Sequence, residues 1–180
     1  MPIEIVFETH SISEDNERGV ATGWLPGRLS ERGRSLAREL GARRRDDGLV
    51  AVFTSDLARA VETAAIAFDG SRLPVRADPR LRECDYGDLN GAPVEQLAPR
   101  SRFIATPFPA GESYRQVVER VRGFVGDLVP FDGRRILVIG HSATRWALDH
   151  LLAGRTLEEL VDAPFDWQPG WLYRTAVVSP

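Results

Sequence analysis

Apolar residues along this chain fall into short runs that predict β-strands. Ile3–Phe7 and Leu49–Phe53 are two such runs, and Ile136–Ile139 is apolar at every position. A run without polar alternation is typical of a central strand that is buried on both faces of a sheet. Leu73–Arg76 predicts a weaker edge strand, and Trp171–Val178 predicts a last strand near the end of the chain.

Apolar residues at helical spacing follow two serines that favour the position just before a helix. Ser30 is expected to cap the first of these helices and Gly41 to end it. Ser55 is expected to cap the second. The two apolar faces consist of Leu36, Ala37 and Leu40, and of Leu57, Val61, Ala64 and Phe68.

Capping boxes predict two further helices, because a Ser or Thr and a Gln or Glu three residues later can satisfy each other's main-chain N–H groups. Ser113 with Gln116 begins a long helix, and Thr156 with Glu159 begins a short one. Between them, Thr144–Leu152 also has helical spacing.

The remaining segments are polar and rich in glycine and proline. The stretch from 11 to 27 is expected to be a loop over the sheet edge, and 81–91 is expected to be a second loop. The basic run Arg43–Arg45, with two aspartates after it, predicts a solvated turn. Pro93–Pro109 predicts one or two short helices and a lid-like connection.

Strands that alternate with helices predict an α/β fold, a three-layer α/β/α sandwich with a largely parallel central sheet. No internal repeat and no linker-like segment divides the 180 residues. We therefore expect a single domain over residues 1–180.

Composition narrows the function classes. The net charge of −3 gives no reason to expect nucleic acid or an anionic membrane as a partner. All 23 residues counted as Lys or Arg are Arg. The lack of Lys excludes Schiff-base catalysis and a P-loop lysine. The single Cys excludes an internal disulfide, and no signal peptide or apolar run of about 20 residues is present, which predicts a cytoplasmic protein.

Two histidines stand where predicted strands end. His10 follows the first strand, and His141 follows the apolar run at 136–139. Ligands of open α/β sheets bind at the carboxyl edge of the strands. The sequence therefore predicts one site that contains two imidazoles.

The motifs around these histidines resemble those of the histidine phosphatase superfamily, which has the phosphoglycerate-mutase-like fold. The resemblance extends from the first strand to at least Leu148. It is carried, in the family's order, by His10 with Ser13 and Asn16, by Gly23-Trp24 and Leu29-Ser30-Glu31-Arg32-Gly33, by Ser55-Asp56-Leu57-Ala58-Arg59-Ala60-Val61-Glu62-Thr63-Ala64, by Leu81-Arg82-Glu83-Cys84-Asp85-Tyr86-Gly87, and by Gly140-His141-Ser142.

The resemblance implies a role for each catalytic candidate. His10 would be the nucleophile that becomes phosphorylated, and Arg59 and a protonated His141 would bind the phosphoryl oxygens. Glu83 would protonate the leaving oxygen and then activate water. No metal and no cofactor is expected. The substrate would be a small phosphorylated or acidic molecule, and the remaining substrate-binding candidates are Thr9, Ser11, Asn16, Thr22, Gly23 and Ser142.

One position departs from the family. Most members have Arg-His-Gly at the first strand end, where this chain has Thr9-His10-Ser11. Losing one charged donor to the transition state costs about 3–4 kcal/mol, judged from oxyanion holes. Another arginine fills the space, or the substrate differs, or phosphatase activity is weak or lost. The candidates for the replacement are Arg18, Arg28, Arg82 and Arg145.

Two function classes follow. The first is a metal-independent phosphatase that hydrolyses a small phosphomonoester through phospho-His10. The alternative is the same fold with that activity lost or repurposed, either for acid–base chemistry on another substrate or for binding a small ligand or regulating a partner. A metal site built from His10, His141, Glu83 and Asp85 is less favoured, because no paired-ligand motif is present. We expect Trp24, Pro93–Pro109 and the tail to shape the pocket.

Overall fold

A five-stranded sheet in the order β3-β2-β4-β1-β5 forms the middle of the molecule. The computed structural model describes residues 1–176. Strands β1 to β4 are parallel to one another, and β5 runs antiparallel to β1. The strands are β1 (Ile3–Thr9), β2 (Leu49–Thr54), β3 (Val75–Ala77), β4 (Arg135–Gly140) and β5 (Trp171–Thr175). The predicted strand residues Val177 and Val178 lie outside the described residues.

Helices cover both faces of this sheet. They are α1 (Glu14–Arg18), α2 (Glu31–Arg44), α3 (Ala58–Ala67), α4 (Tyr114–Gly126), α5 (Ser142–Leu152) and α6 (Leu157–Leu160). Short 3-10 turns lie at Pro79–Leu81, Gly87–Leu89, Val94–Leu97, Arg100–Phe103 and Val129–Phe131. One apolar cluster joins the sheet to α2 and α3, and the other joins it to α4, α5 and α6. The predicted three-layer α/β fold with a largely parallel sheet is confirmed.

Strand β4 lies at the centre of the sheet, between β1 and β2. Its residues Ile136, Leu137, Val138 and Ile139 are fully buried. Helices on both faces exclude water from these four side chains, which explains the uninterrupted apolar run. The carboxyl ends of β1 and β4 lie side by side, since Thr9 pairs with Gly140.

Helix α2 does not end at Gly41 as predicted but continues to Arg44. Gly41 is buried against α3, where a Cβ atom would lie 2.2 Å from the carbonyl oxygen of Ala67. The glycine therefore allows the two helices to approach each other closely. It does not stop the helix.

The basic run after Gly41 is not a solvated turn. Arg43 and Arg44 form the last turn of α2, and both bind the carboxylate of Glu8, which is 1% exposed. A buried carboxylate needs such partners, because an unpaired charge in the protein interior is costly. Arg43 contributes two hydrogen bonds, of 3.0 and 2.8 Å.

Two other local predictions were wrong. The stretch expected to be a loop contains α1, which Ser13 and Asn16 hold in a capping box. Ser55 does not cap α3, which begins at Ala58 after Leu57. The predicted capping boxes before α4 and α6 are both present. Within residues 1–176, no helix is long and apolar enough to cross a membrane.

Candidate active site

A cavity of about 870 Å³ opens at the carboxyl edge of the sheet. The parallel strands β1, β2 and β4 all end at this edge, so residues distant in sequence meet there. Every predicted site residue contributes to its lining, namely Thr9, His10, Ser11, Asn16, Thr22, Gly23, Arg59, Glu83, His141 and Ser142.

His10 directly follows β1, and its main-chain N–H donates to the carbonyl of Gly140 at 2.9 Å. Its Nδ1 atom lies 2.7 Å from the carbonyl oxygen of Ser11. A carbonyl oxygen only accepts hydrogen bonds, so Nδ1 carries the proton in the neutral ring. The lone pair of the neutral imidazole is therefore on Nε2.

The environment of His10 disfavours its charged form. Burial and then the positive charge of Arg59 lower the pKa of His10 from 6.5 to about 3. The imidazole is consequently neutral near pH 7, which is the state in which a histidine can act as a nucleophile.

The His141 ring lies beside that of His10, with ring centroids 5.0 Å apart and planes tilted by 50°. Its Nε2 atom is 2.6 Å from the Oγ atom of Ser55. Burial, Arg59 and His10 together lower the pKa of His141 well below 6.5. In the unliganded site His141 is therefore held neutral, because its charged form would be buried beside the Arg59 guanidinium. The protonated His141 expected with a bound phosphoryl group stays a prediction.

Arg59 lies in the first turn of α3 and is 3% exposed. Its Nη2 atom donates to the carbonyl of Gly23 at 2.9 Å, and its Nη1 atom has no hydrogen-bond partner among the described residues. A buried guanidinium N–H without a partner is costly. The Arg59 guanidinium is therefore suited to bind an anion in the cavity.

Glu83 faces the cavity from the segment before α4. Its Oε1 atom accepts hydrogen bonds from the main-chain N–H of Cys84 at 2.8 Å and from that of Ala143 at 3.2 Å. Ala143 belongs to the first turn of α5, so the carboxylate lies at a helix N-terminus. With Oε1 occupied by donors, Oε2 is the oxygen that can exchange a proton with a ligand.

Trp24 and Arg120 hold the main chain at Glu83. The carbonyl oxygen of Glu83 accepts from Nε1 of Trp24 at 2.7 Å and from Nη2 of Arg120 at 2.9 Å. Arg120 also binds the carbonyls of Arg80 and Arg82, and it forms an ion pair with Glu112. The sequence analysis did not identify this role of Arg120. The position of Arg120 beside the buried residues Val117 and Val121 of α4 was a signal for a partly buried, paired arginine.

The Thr9 side chain is half-buried and lines the cavity. None of the four arginines proposed as replacements lies in the cavity lining. Each is instead paired with a carboxylate elsewhere: Arg18 with Asp15, Arg28 with Glu14, Arg82 with Asp56 and Arg145 with Asp149. Arg32, Arg43 and Arg100 line the cavity besides Arg59.

The polar candidates from the first loop have defined partners. The main-chain N–H of Ser11 donates to Oγ1 of Thr63 at 3.0 Å, and Thr22 donates to Asp15 at 2.9 Å. Gly23 has a φ of +54°, and a Cβ atom there would lie 1.8 Å from Oδ1 of Asn90. Only glycine therefore allows the carbonyl at this position to face Arg59.

Some predicted contributors do not reach the cavity. Trp24 lies behind Glu83, and neither it nor the described tail residues 171–176 line the cavity. Within Pro93–Pro109, the residues Val94, Leu97 and Arg100 line the cavity.

Cys84 is fully buried, and burial raises its pKa, as expected for an unreactive thiol. In the part of the chain that the structure describes, no three His, Cys, Asp or Glu side chains are placed to hold a metal ion.

Comparison of the sequence with protein families gives one match over most of the chain. A model of the histidine phosphatase superfamily (branch 1) matches residues 5–169. The chain is 34% identical to the 2,3-bisphosphoglycerate-dependent phosphoglycerate mutase of Methylobacterium sp. strain 4-46, with 87% of this chain and 83% of the relative covered.

Solved structures of similar proteins share the fold. Bacillus stearothermophilus YhfR matches with a TM-score of 0.80 at 26% identity, over 93% of this chain and 88% of that one. A mycobacterial glucosyl-3-phosphoglycerate phosphatase, solved in complex with VO3, matches with a TM-score of 0.72 at 30% identity. That match covers 88% of this chain and 84% of the phosphatase.

Proposed function

Because this chain belongs to the histidine phosphatase superfamily, whose members act on phosphoric monoesters, we propose that it hydrolyses a small phosphomonoester through a phosphohistidine on His10. Its relatives include proteins named as phosphatases and as phosphoglycerate mutases.

The proposal is carried by the state of the His10 ring. Its Nδ1–H donates to the Ser11 carbonyl, and its pKa is lowered to about 3. Both observations support a neutral imidazole whose Nε2 lone pair is available to a ligand in the cavity. A neutral ring with its lone pair on Nε2 is the state that a histidine nucleophile requires.

In the first half-reaction, Nε2 of His10 forms a bond to phosphorus while the bond from phosphorus to the ester oxygen breaks. Glu83 gives its proton to that oxygen, which leaves as the alcohol. Arg59 binds the equatorial phosphoryl oxygens, with Nη1 as a donor that has no other partner in the described chain. Positioning and charge stabilisation of this kind account for most phosphoryl-transfer catalysis.

In the second half-reaction, a water oxygen forms a bond to phosphorus and the phosphorus–nitrogen bond breaks. Glu83, now ionised, takes a proton from that water, and inorganic phosphate leaves with His10 neutral again. We assign His141 to hydrogen bonding with a phosphoryl oxygen. A bound phosphoryl dianion would raise its pKa and favour its protonated form. Asn16, Thr22, Gly23 and Ser142 would complete the phosphoryl site.

A second candidate function is favoured by Thr9. A phosphoryl site with Arg59 as its nearest cation is weaker than the family's pattern with two arginines. The cavity would then act in acid–base chemistry on a substrate that lacks a phosphoryl group, or bind a small acidic ligand.

The experiment that tests the proposal is a hydrolysis screen with a panel of phosphomonoesters, comparing the wild type with His10→Ala. We expect phosphate release by the wild type only. The wild type should also carry an acid-labile phosphoryl adduct after a rapid quench, measured by intact mass in alkaline solution. Hydrolysis retained by His10→Ala would overturn the proposed intermediate. A wild type inert toward the whole panel would favour the second candidate.

A further inference from the structure

Residues 162–170 cross the mouth of the cavity between α6 and β5, and we call this segment the aromatic strap. It is anchored at both ends. The Asp162 carboxylate accepts from the main-chain N–H of Arg100 at 2.6 Å. At the other end, Nη2 of Arg44 donates to the carbonyl of Pro169 at 2.7 Å. The strap is therefore held against two elements that also line the cavity.

Phe165 and Trp167 of the aromatic strap are large apolar side chains that remain exposed. Both line the same cavity as His10, yet they are 56% and 55% exposed. No other Phe, Tyr or Trp within residues 1–176 reaches this exposure. Two exposed aromatics, two residues apart in one segment beside a cavity, are typical of a ligand-binding surface.

Helix α2 supplies a mixed wall near these rings, with Leu36 and Leu40 among the charged residues Arg32, Glu39 and Arg43. Leu36, Leu40 and Arg43 are four and three residues apart, so they share one helix face, and all three line the cavity. The guanidinium of Arg43 lies 5.8 Å from the centre of the Trp167 ring. Leu40, about one helical turn before Arg43, is therefore on the part of α2 that lies nearest the aromatic strap.

The charged residues at this end of the cavity are of both signs, with Arg32 and Arg43 beside Glu8, Glu39 and Asp162. Arg43 makes hydrogen bonds of 3.0 and 2.8 Å to the buried Glu8 carboxylate, which neutralises it locally. An ion pair of this kind has little attraction left for a second anion on the ligand. The leucines and the rings together favour an uncharged apolar group.

We propose that Phe165 and Trp167 bind the leaving-group part of the substrate, and that this part is a flat or bulky apolar group such as an aryl ring system. The reaction assigned to that substrate rests on the proposed function, whereas the binding surface does not. A cavity of about 870 Å³ is in the range that holds drug-sized ligands, far beyond the needs of a phosphoryl group.

Phenyl phosphate and 1-naphthyl phosphate test this inference, because their leaving groups are similarly reactive and differ by one fused ring. The wild type should prefer the naphthyl ester in kcat/KM by about tenfold, given the extra apolar area. The double variant Phe165→Ser/Trp167→Ser should lose about tenfold on the naphthyl ester and less than about threefold on the phenyl ester. Each single variant should show part of that loss.

The control is Leu172→Ser, which removes an apolar side chain that is 51% exposed and does not line the cavity. It should leave both kcat/KM values unchanged. Retained hydrolysis of phenyl phosphate shows that the double variant is folded. Equal losses on the two esters, or no loss on either, would overturn the inference.

Titration calorimetry separates this inference from the proposed function. 1-Naphthylmethylphosphonate and benzylphosphonate are not hydrolysed, and the first should bind the wild type about tenfold more tightly. The double variant should lose that preference, even if the protein hydrolyses no ester. Equal binding of the two phosphonates to the wild type would overturn it. The inference would also be overturned if the double variant kept the preference for the naphthyl phosphonate and changed its oligomeric state in sedimentation. That result would assign the aromatic strap to contacts between copies of the chain.

Discussion

Trp24 and Glu83 are joined by a 2.7 Å hydrogen bond from the indole Nε1 to the main-chain carbonyl oxygen of the glutamate. The guanidinium of Arg82 lies over the same indole, 4.6 Å from its centre, and binds both oxygens of Asp56. The hydrogen bond therefore holds the main chain of Glu83, the proposed proton donor, on the side away from the cavity, because the indole does not line the cavity.

Replacing Trp24 with Phe keeps a ring beneath Arg82 and removes the hydrogen bond to Glu83. A typical hydrogen bond contributes about 1 kcal/mol, so we expect kcat to fall roughly five- to tenfold while KM changes little. Trp171→Phe is the matched control, because Trp171 packs on Phe7 outside the cavity. Equal effects of the two substitutions on kcat would show that the Trp24 hydrogen bond does not position the catalytic loop.

Glu83→Gln tests the proposed proton donor. An amide keeps the shape but cannot protonate the leaving oxygen, so we expect a loss of about 100-fold or more on an alkyl phosphate. The loss on p-nitrophenyl phosphate should be much smaller, because nitrophenolate leaves without a proton. The measurement is kcat/KM for both esters.

Asp88→Asn is the control for Glu83→Gln, since Asp88 is an exposed carboxylate of the same loop and lies outside the cavity lining. It should leave both rates nearly unchanged. Equal damage by Glu83→Gln on the two esters would argue against general-acid catalysis by Glu83.

The sequence alone predicts those parts of the molecule whose signals are local. The apolar run of β4 predicts a buried central strand, and the residues after β1 and β4 predict that His10 and His141 meet at one edge. Burial on both faces and parallel pairing follow from those runs. The capping boxes at Ser113 and Thr156 are local in the same sense.

What the sequence does not predict depends on partners far away in the chain. Ser55 has the properties of a helix cap, but its Oγ atom binds His141, 86 residues later. Arg43 looks solvated until Glu8, 35 residues earlier, is placed beside it. Local propensity is overridden in both cases, because a buried imidazole or carboxylate gains more from the contact than a helix terminus or solvent offers.

Gly33 in the first turn of α2 is expected to be a packing requirement. A Cβ atom there would lie 1.9 Å from the carbonyl oxygen of Ile12, in the segment that follows His10. Gly33→Ala should lower the free energy of unfolding by roughly 1–3 kcal/mol, as for other overpacked sites. Urea denaturation measures this change.

Gly126→Ala provides the comparison for Gly33→Ala. Gly126 is the last residue of α4, and a Cβ atom there meets nothing within 4 Å. Alanine should raise the free energy of unfolding by up to about 1 kcal/mol, because it restricts the unfolded chain and favours the helix. A Gly33→Ala variant as stable as the wild type would show that α2 can shift away from Ile12 without cost.

Stability should depend on pH through His10. The folded protein holds the pKa of His10 at about 3, whereas the unfolded chain titrates near 6.5. Between these values the unfolded state binds a proton that the folded state does not. The free energy of unfolding therefore falls as the pH falls through this window, by at most about 1.4 kcal/mol per pH unit from this residue. Well above pH 6.5, where the histidine is neutral in both states, the residue contributes almost no slope.

The His10→Asn variant isolates that contribution. Urea denaturation at pH 5, 6, 7 and 8 should show a smaller loss of stability toward acid pH for the variant than for the wild type. From pH 7 to 8 the two curves should run parallel, which serves as the internal control. Identical slopes at pH 5–6 would show that His10 is protonated in the folded protein.

Thr9→Arg tests the position where this chain departs from its family. Threonine offers one neutral hydrogen bond where arginine offers two charged ones, and neutral bonds are roughly half as strong. Arg18, Arg28, Arg82 and Arg145 are paired with carboxylates outside the cavity, so none of them supplies the missing charge. A bound phosphoryl dianion would offset the charge that Thr9→Arg adds. We expect kcat/KM for simple phosphomonoesters to rise about tenfold or more, the factor that about 1.4 kcal/mol represents.

Thr9→Leu controls for bulk and should not raise the rate, and Thr9→Arg combined with His10→Ala should be inactive if the gain passes through phospho-His10. A Thr9→Arg variant slower than the wild type would indicate that Arg32 or Arg100, which also line the cavity, already supplies that charge to the bound phosphoryl group. A wild type and a Thr9→Arg variant that are both inert would count against phosphohistidine chemistry, because restoring the family's arginine should rescue a site whose only defect is the missing charge.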